Sequence, residues 1–198
     1  MIRNADYVMN LIVDPQNLAK KAQVGVDLTI GKISQITRKA VEASHFMEAL
    51  LLGGGLDSLA GDIDKSYGFV YNDASGLKAT YGCYKPVEMT LYQGHNMYFL
   101  DQGVYSITFD QGLKPLPPNN TAFIYQRSTL GRNGVLLRSS VFDPGFETPD
   151  IGAILEVWRP IFIEEHARVA QIVIYENEPV PDAMLYSGQY QGSKDYKG

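Results

Sequence analysis

The chain has 198 residues, of which 45% are hydrophobic and 20% charged, and its formal net charge is −5 at pH 7. This composition favours one domain with a sizeable core, and the acidic balance argues against a surface that coats nucleic acid, which needs clustered Lys and Arg. No apolar run is long enough to span a membrane and the N-terminus lacks a signal-peptide layout, so we expect a cytoplasmic protein, or one of a host cytoplasm.

The first elements are a short helix and a strand. Asn4 to Leu11 predicts the helix, with Asn4 or Asp6 as its cap and Pro15 ending the pattern. Val24 to Ile30 alternates and is rich in β-branched residues, which predicts a strand that carries Asp27. Composition alone describes Asp27 as a solvated strand residue.

The middle of the chain changes character twice. Thr37 to Leu52 consists mostly of helix formers and is followed by three glycines, which predicts a helix with a glycine stop. Leu56 to Cys83 lacks sustained periodicity and predicts hairpins and loops. From Pro86 onward, short β-rich runs recur at roughly ten-residue spacing, the pattern of an all-β barrel or jelly roll. Turns are predicted at Gln93-Gly94, Asp101-Gln102-Gly103, Asp110-Gln111-Gly112 and 115–120.

The stretch from Tyr125 to Phe146 places two arginines, Arg127 and Arg132, around a turn of small residues. Hydroxyls, backbone N–H groups and guanidinium groups together are what polyphosphate binding requires, although surface ion pairs would also explain the arginines. A strand then leads to Asp143, just before Pro-Gly. A carboxylate fixed there can orient a water or a sugar hydroxyl, or it can simply stabilise a turn.

Two later strands, Gly152–Val157 and Arg168–Tyr175, each contain an unusual polar residue. Glu156 interrupts an apolar run, where a carboxylate costs several kcal/mol if it is buried unpaired. If its role is structural, we expect it to pair with a nearby cation such as Arg159 or Arg168. Gln171 is an amide inside an apolar strand and needs a partner. The last twenty residues are polar and rich in Gly and Tyr, so we expect them to stay out of the core and to act as a lid.

Five collinear segments resemble the dUTPase / dCTP deaminase superfamily. Residues 127–134 read Arg-Ser-Thr-Leu-Gly-Arg-Asn-Gly, and Asp143-Pro144-Gly145-Phe146 begins nine residues after Gly134. The other three segments are Gly25–Leu28, Ala167–Ile172 and Tyr186–Gly192. The spacing from Gly134 to Asp143 is that of the archaeal-type dUTPases.

The resemblance implies a role for each matching residue. Asp27 lies near metal-bound phosphates and contacts the metal indirectly, through water or phosphate, while Arg127, Ser128 and Thr129 bind the triphosphate. Arg132 contacts phosphate or shapes the base pocket. The remaining implied roles are a water-activating carboxylate beside the deoxyribose (Asp143), an aromatic ring on the sugar (Phe146), a contact to phosphate or hydrated metal (Gln171), and tail contacts to the nucleotide (Tyr186, Tyr190 and Gln191).

Glu156 is the residue on which the reaction depends. In dCTP deaminases of this type an Ile-x-Leu-Glu stretch supplies a glutamate that activates water without zinc, whereas typical dUTPases have an apolar residue there. Cys83 is the single cysteine and the three histidines share no ligand spacing, so a zinc-dependent deaminase site is not expected. Other features depart from the deaminase pattern: Trp158-Arg159-Pro160 replaces the asparagine after the glutamate, and Gln189 replaces the tail lysine.

We therefore expect a mostly-β, jelly-roll-like barrel with one or two short helices, assembled as a homotrimer with sites between subunits. The whole chain is expected to be one domain, with an atypical insertion at 38–97 and a lid at 186–198. The preferred function is Mg²⁺-dependent hydrolysis of dUTP to dUMP and diphosphate. The alternatives are zinc-independent dCTP deamination, both activities at one site, or a non-catalytic nucleotide-binding regulator.

Overall fold

The computed structural model describes residues 1–37, 83–188 and 190–192. Met1–Gln35 and Pro86–Lys197 form one compact unit, and the remaining residues form a second, of which only the ends are described. The predicted helix at Thr37–Leu52 and the predicted loops at Leu56–Cys83 lie outside the described residues, apart from their terminal residues. The assignment of the chain to one domain stays a prediction.

Helix α1 (Ala5–Leu11) lies where the sequence predicts it. The side-chain oxygen of Asn4 caps it by accepting a hydrogen bond from the backbone N–H of Tyr7 at 2.9 Å. Val8 is its buried residue. The backbone becomes extended at Ile12, so the helix ends before Pro15 rather than at it.

Thirteen strands follow or flank this helix in the described residues. Their bounds are β1 (Ile12–Val13), β2 (Lys20–Lys21), β3 (Val26–Thr37), β4 (Cys83–Pro86), β5 (Met89–Tyr92), β6 (His95–Leu100), β7 (Gly103–Phe109), β8 (Gly112–Leu113), β9 (Asn120–Gln126), β10 (Val135–Arg138), β11 (Gly152–Val157), β12 (Ile161–Glu164) and β13 (Arg168–Glu176). Strand β12 was not predicted from the sequence. Strands β5 and β6 lie mostly in the segment predicted as an atypical insertion.

The main sheet follows the order β10-β11-β7-β3-β13-β9, with β2 paired to β3. Its ends approach each other, because the backbone N–H of Leu137 in β10 donates to the side-chain oxygen of Gln126 in β9 at 2.9 Å. One face is fully buried through alternating aliphatic residues, among them Leu28, Ile107, Leu155, Ile172 and Ile174. The predicted mostly-β, jelly-roll-like fold is confirmed.

A second sheet, β12-β6-β5, places Tyr98, Leu100 and Ile163 in the core. Its other face carries three aromatic rings in contact. Phe162 lies 4.9 Å from Phe99 and 5.5 Å from Tyr92, between ring centroids. No helix in the described residues is long and apolar enough to cross a bilayer.

Candidate functional site

Three polar residues form a row across the main sheet. Gln171 of β13 lies directly opposite Asp27 of β3 on one side and Tyr125 of β9 on the other. Directly opposed residues project from the same face of a sheet, with Cβ atoms about 5 Å apart. The side chain of Gln171 is half-buried and makes no hydrogen bond to the rest of the described chain. The strands thus bring together two predicted site residues, Asp27 and Gln171.

A β-bulge adds Arg168 to this face. Arg168 pairs with Thr29 and Ala170 pairs with Leu28, so Val169 is an extra residue in β13. Without the bulge, Arg168 and Gln171 would project from opposite faces, because they are an odd number of residues apart. Val169 and Ala170 are both buried. Arg168 was not predicted as a site residue; the consecutive apolar pair Val169-Ala170 is the sequence signal of the bulge.

Asp27 is the centre of the ionic contacts on this face. Its Oδ2 accepts hydrogen bonds from Nη1 of Arg127 and from Nη1 of Arg168, the latter at 3.2 Å. The Asp27 side chain is only 4% exposed, whereas those of Arg127 and Arg168 are 35% and 45% exposed. Two guanidinium groups and one carboxylate leave one net positive charge at a half-open surface.

Tyr125 completes the row with a neutral hydroxyl. Its oxygen lies 3.2 Å from that of Tyr175. This hydrogen bond, with a smaller effect of burial, raises the pKa of Tyr125 above the ordinary value for tyrosine. Near neutral pH the phenol therefore stays protonated and can donate a hydrogen bond.

The residues after Arg127 form a short helix, where the sequence predicted a turn of small residues. Helix α2 (Ser128–Arg132) buries Leu130 and ends where Asn133 and Gly134 donate to carbonyls of the preceding turn. Leu130 gives this segment an apolar contact that favours the compact helical turn. Ser128, Thr129 and Arg132 are exposed on it. Arg132 makes no ion pair within the described part of the chain.

Strand β10 is shorter than predicted and ends at Arg138. Asp143 instead opens a tight turn, in which the backbone N–H of Phe146 donates to the carbonyl of Asp143 at 3.1 Å. Pro144 and Gly145 occupy the central positions, and Gly145 has the positive φ of +86° that a type II turn requires. The Asp143 carboxylate is exposed and makes no hydrogen bond to other described residues.

The tail packs against this turn. The ring of Tyr186 meets that of buried Phe146 edge-on at 5.1 Å, and its backbone N–H donates to Pro144 at 2.8 Å. The Gln191 side chain donates to the Gly145 carbonyl at 2.9 Å and accepts from the Glu147 N–H at 3.4 Å. Tyr186 thus packs against the core, which was not expected of the tail. Tyr190 is exposed.

Glu156 is half-buried and ion-paired. Its Oε1 accepts a hydrogen bond from Nε of Arg138 at 3.0 Å. The cations expected for a structural Glu156 were Arg159 or Arg168, but Arg159 donates to Asn133 and Arg168 to Asp27 instead. The register explains it, because Glu156 lies opposite Leu136 and Arg138 is two residues further along β10 on the same face.

A second polar cluster adjoins Asp27 along β3. Thr29 donates to Asp110 at 2.6 Å and accepts from the fully buried Gln111 at 2.9 Å, and His166 Nδ1 lies 2.9 Å from the same Asp110 oxygen. These contacts satisfy polar groups in the interior. We attribute a structural role to the cluster, which connects β3 to the segments after β7 and β12.

Protein ligands for a metal are sparse at these positions. Among the residues that the structure describes, no group of three or more His, Cys, Asp or Glu side chains could hold a metal ion. Magnesium binds through a few carboxylates together with substrate phosphates and water. A Mg²⁺ ion here would therefore take most of its ligands from a bound polyphosphate and from water.

Comparisons with known proteins identify the family to which the chain is similar. Residues 2–177 match a family model described as dCTP deaminase-like. Deoxyuridine 5'-triphosphate nucleotidohydrolase of Methanocaldococcus jannaschii is 42% identical over 94 residues, 47% of this chain and 57% of that protein. The dCTP deaminase, dUMP-forming, of Aquifex aeolicus is 39% identical over 85 residues, 40% of this chain and 44% of that protein.

Two further matches extend over most of the chain. A probable deoxyuridine 5'-triphosphate nucleotidohydrolase of Methanosarcina acetivorans is 25% identical over 162 residues, 81% of this chain and 91% of that protein. The crystal structure of 2'-deoxycytidine 5'-triphosphate deaminase from Agrobacterium tumefaciens shares the fold at 15% identity and a TM-score of 0.55, over 89% of this chain and 48% of that one.

The matches to the first archaeal relatives span 53–58% of the relatives' own length. The family model, in contrast, runs from three residues before α1 to one residue past β13 and includes every strand of the main sheet. On this match, the chain belongs to the dCTP deaminase-like family, within the dUTPase / dCTP deaminase superfamily.

Proposed function

We propose that this chain hydrolyses dUTP to dUMP and diphosphate. The observation that carries the proposal is the ion pair between Glu156 and Arg138. Deamination would need the Glu156 carboxylate to accept a proton from water. Here that carboxylate accepts a hydrogen bond from the guanidinium group of Arg138 on the same face of the sheet. The archaeal relatives named as deoxyuridine 5'-triphosphate nucleotidohydrolases support the same reaction.

The chemistry requires a water molecule to attack the α-phosphorus while the bond to the oxygen bridging the α- and β-phosphates breaks. Asp143 has a free, exposed carboxylate that can accept the proton of that water. Arg127, with the exposed Ser128, Thr129 and Arg132, supplies donors and positive charge for the triphosphate. Magnesium, when bound to the phosphates, offsets the negative charge that develops there.

The proposed working form is a homotrimer in the cytoplasm. Arg127 contacts Asp27, whereas Asp143 lies on the turn that holds the tail, and no described side-chain hydrogen bond or ion pair joins these two groups within one chain. Assembly of a site from the arginine segment of one subunit and the Asp143 turn of another accounts for this separation. The tail, already placed on the Asp143 turn, is suited to cover a bound nucleotide.

Zinc-independent deamination of dCTP is the second candidate. It is favoured by the description of the matching family model and by the Aquifex aeolicus relative. Glu156 also supports it, since a half-buried carboxylate on an otherwise apolar strand is available if Arg138 moves away.

The deciding experiment incubates the full chain with dUTP and with dCTP in the presence of Mg²⁺. Chromatography then identifies the nucleotide products, and separate assays quantify diphosphate and ammonia. Diphosphate and dUMP from dUTP, with no ammonia from dCTP, is the result we expect. Ammonia from dCTP would favour the second candidate, and absence of turnover with both nucleotides would contradict an enzymatic role.

A further inference from the structure

We propose that strand β5 (Met89–Tyr92) is a self-association edge, through which two copies of this chain pair about a twofold axis. The two β5 strands would lie antiparallel to each other and join the second sheets of both copies in the order β12-β6-β5-β5-β6-β12. No residue of β5 belongs to the proposed catalytic site. The inference therefore goes beyond the proposed function and does not depend on it.

The outer edge of β5 carries backbone groups that no described residue engages. β5 is the end strand of its sheet and pairs with β6. Gln93 and Gly94, both at positive φ, form the two-residue turn between these strands, so Tyr92 and His95 beside the turn are a hydrogen-bonded pair. Such pairs alternate with non-hydrogen-bonded pairs along the ladder. Leu91 and Met89 therefore direct their N–H and C=O groups away from β6.

The sequence of β5 does not protect this edge. Natural edge strands commonly avoid pairing with other chains through charged side chains, proline or bulges. β5 reads Met-Thr-Leu-Tyr, without charge or proline. At the opposite edge of the same sheet, β12 follows Pro160 and ends in the exposed Glu164. One edge of the sheet is thus protected, and the β5 edge is open to another strand.

The side chains of β5 favour an apolar partner strand. Leu91 is 72% exposed and Met89 is 42% exposed, and alternation along the strand places both on one face. Opposed residues of paired strands lie about 5 Å apart. Pairing with a second β5 would bring Leu91 of one copy beside Met89 of the other and remove apolar surface of both from water.

Aromatic contacts hold β5 in its extended form. The ring of Tyr92 stacks on that of Phe162 in β12 at 5.5 Å between centroids, and Phe162 lies 4.9 Å from Phe99 of β6. These rings connect the end strand to the other two strands of the sheet. A strand that is already ordered loses little conformational entropy when another strand is added to it.

A twofold axis at Thr90 uses every outward backbone group of β5. Leu91 of each copy would form a hydrogen-bonded pair with Met89 of the other, and Thr90 would lie opposite itself. Glu88, the acidic residue before β5, would lie opposite Tyr92 of the other copy rather than another carboxylate. This register opposes no like charges, which matters for a chain with a net charge of −5.

The size of the edge makes the association weak. β5 has four residues, whereas stable complexes bury roughly 1,600 Å² in total and transient contacts less than about 1,200 Å². We expect pairing that depends on concentration and doubles the mass of whatever unit the chain forms through other surfaces, the proposed trimer included. Dilute samples should show that unit without the β5 contact.

Disulfide trapping in the full chain tests the register. Opposed residues of a non-hydrogen-bonded pair have Cα atoms about 4.5 Å apart, which a disulfide can bridge. Because Cys83 is the single cysteine, Thr90→Cys is made together with Cys83→Ser. With a mild oxidant, we expect a covalent species of twice the chain mass of 22.0 kDa. The matched control is Gln93→Cys with Cys83→Ser, since Gln93 is also exposed but lies three residues from the axis.

Sedimentation velocity over a concentration series separates backbone pairing from apolar contact. Leu91→Pro removes an N–H that is not bonded to β6 and should abolish the doubling in mass. Leu91→Ala keeps the N–H and should weaken pairing about tenfold. Trp158→Ala is the control, because Trp158 is similarly exposed, at 67%, outside this sheet. Its pairing should equal that of the parent.

Equal cross-linking at positions 90 and 93, or no cross-linking at position 90, would overturn the proposal. So would a parent mass that stays constant up to the highest soluble concentration. Equal effects of Leu91→Pro, Leu91→Ala and Trp158→Ala would indicate non-specific apolar contact and contradict strand pairing. If Leu91→Pro does not fold, the cross-linking comparison decides. Hydrolysis of dUTP, or its absence, changes none of these outcomes.

Discussion

The backbone N–H of Arg127 donates to the carbonyl oxygen of Val169 at 2.9 Å, at the point where β13 carries one residue more than its neighbour. The bulge in β13 thereby fixes the backbone of Arg127, the residue that follows β9 and precedes α2. The ionic contacts of Asp27 follow from this arrangement, since both of its arginines are placed by the bulge.

Asp143→Asn tests the proposed attack by water. We expect dUTP turnover to fall on the order of 10²–10⁴-fold with little change in nucleotide affinity, because the amide cannot accept the proton of the attacking water. The exposed carboxylate makes no hydrogen bond to other described residues, so the melting temperature should stay close to that of the parent. If the variant turned over dUTP at the parent rate, Asp143 would have a role only in the turn and not in catalysis.

Glu156→Gln separates the two candidate reactions. Hydrolysis of dUTP should continue at the parent rate, because attack at phosphorus depends on Asp143. The pair with Arg138 is partly exposed, so its loss should cost at most about 1 kcal/mol of stability in chemical denaturation. Ammonia release from dCTP by the parent, abolished in this variant, would instead establish Glu156 as a deaminase base.

Truncation after Tyr186 tests the lid. It removes the Gln191 contacts to Gly145 and Glu147 but leaves the packing of Tyr186 on Phe146. We expect kcat/KM for dUTP to fall while the melting temperature hardly changes. A longer truncation, before Tyr186, exposes Phe146 and should lower both, the catalytic efficiency more strongly. Parent-like catalytic efficiency of the chain truncated after Tyr186 would exclude a lid.

Tyr98→Phe tests the alkaline limit of stability. Burial, and then the negative charges of Glu165, Asp110 and Glu88, raise the pKa of Tyr98, and its hydroxyl donates to the Gly31 carbonyl at 2.7 Å. A raised pKa in the folded state stabilises the fold below the ordinary pKa of about 10, and this contribution is lost as pH rises further.

The variant should therefore be less stable than the parent at pH 8, by about 1 kcal/mol for the lost hydrogen bond, and should lose less stability at higher pH. Urea titrations across this range measure both effects. Tyr92→Phe is the control, since the Tyr92 ring is half exposed. Equal alkaline losses in the parent and in Tyr98→Phe would contradict the assignment.

The trimer is tested by light scattering. The separation of the Arg127 contacts from the Asp143 turn within one chain leads us to expect three times the chain mass of 22.0 kDa. A mass equal to that of the single chain would rule out a site shared between subunits.

Most strands were predicted correctly, because alternating hydrophobicity and turn residues determine strand and turn structure over only a few consecutive residues. The Gln93-Gly94 turn is an example, with both residues at positive φ. Helix α2 and the Glu156 partner were mispredicted for a different reason. Leu130 and Arg138 owe their contacts to tertiary packing and to register across β10 and β11, which the sequence alone does not specify.

Arg168 was missed because a regular strand would direct it to the opposite face from Gln171. Its placement depends on how many residues separate the two positions rather than on which residues these are. Inserting or deleting one residue between Arg168 and Gln171 would turn every strand residue on one side of the change to the opposite face of the sheet. Residues that are now buried would become exposed, and exposed residues would face the core. Among natural relatives and engineered variants, this segment should accept many substitutions of Val169 by other apolar residues but almost no change of length.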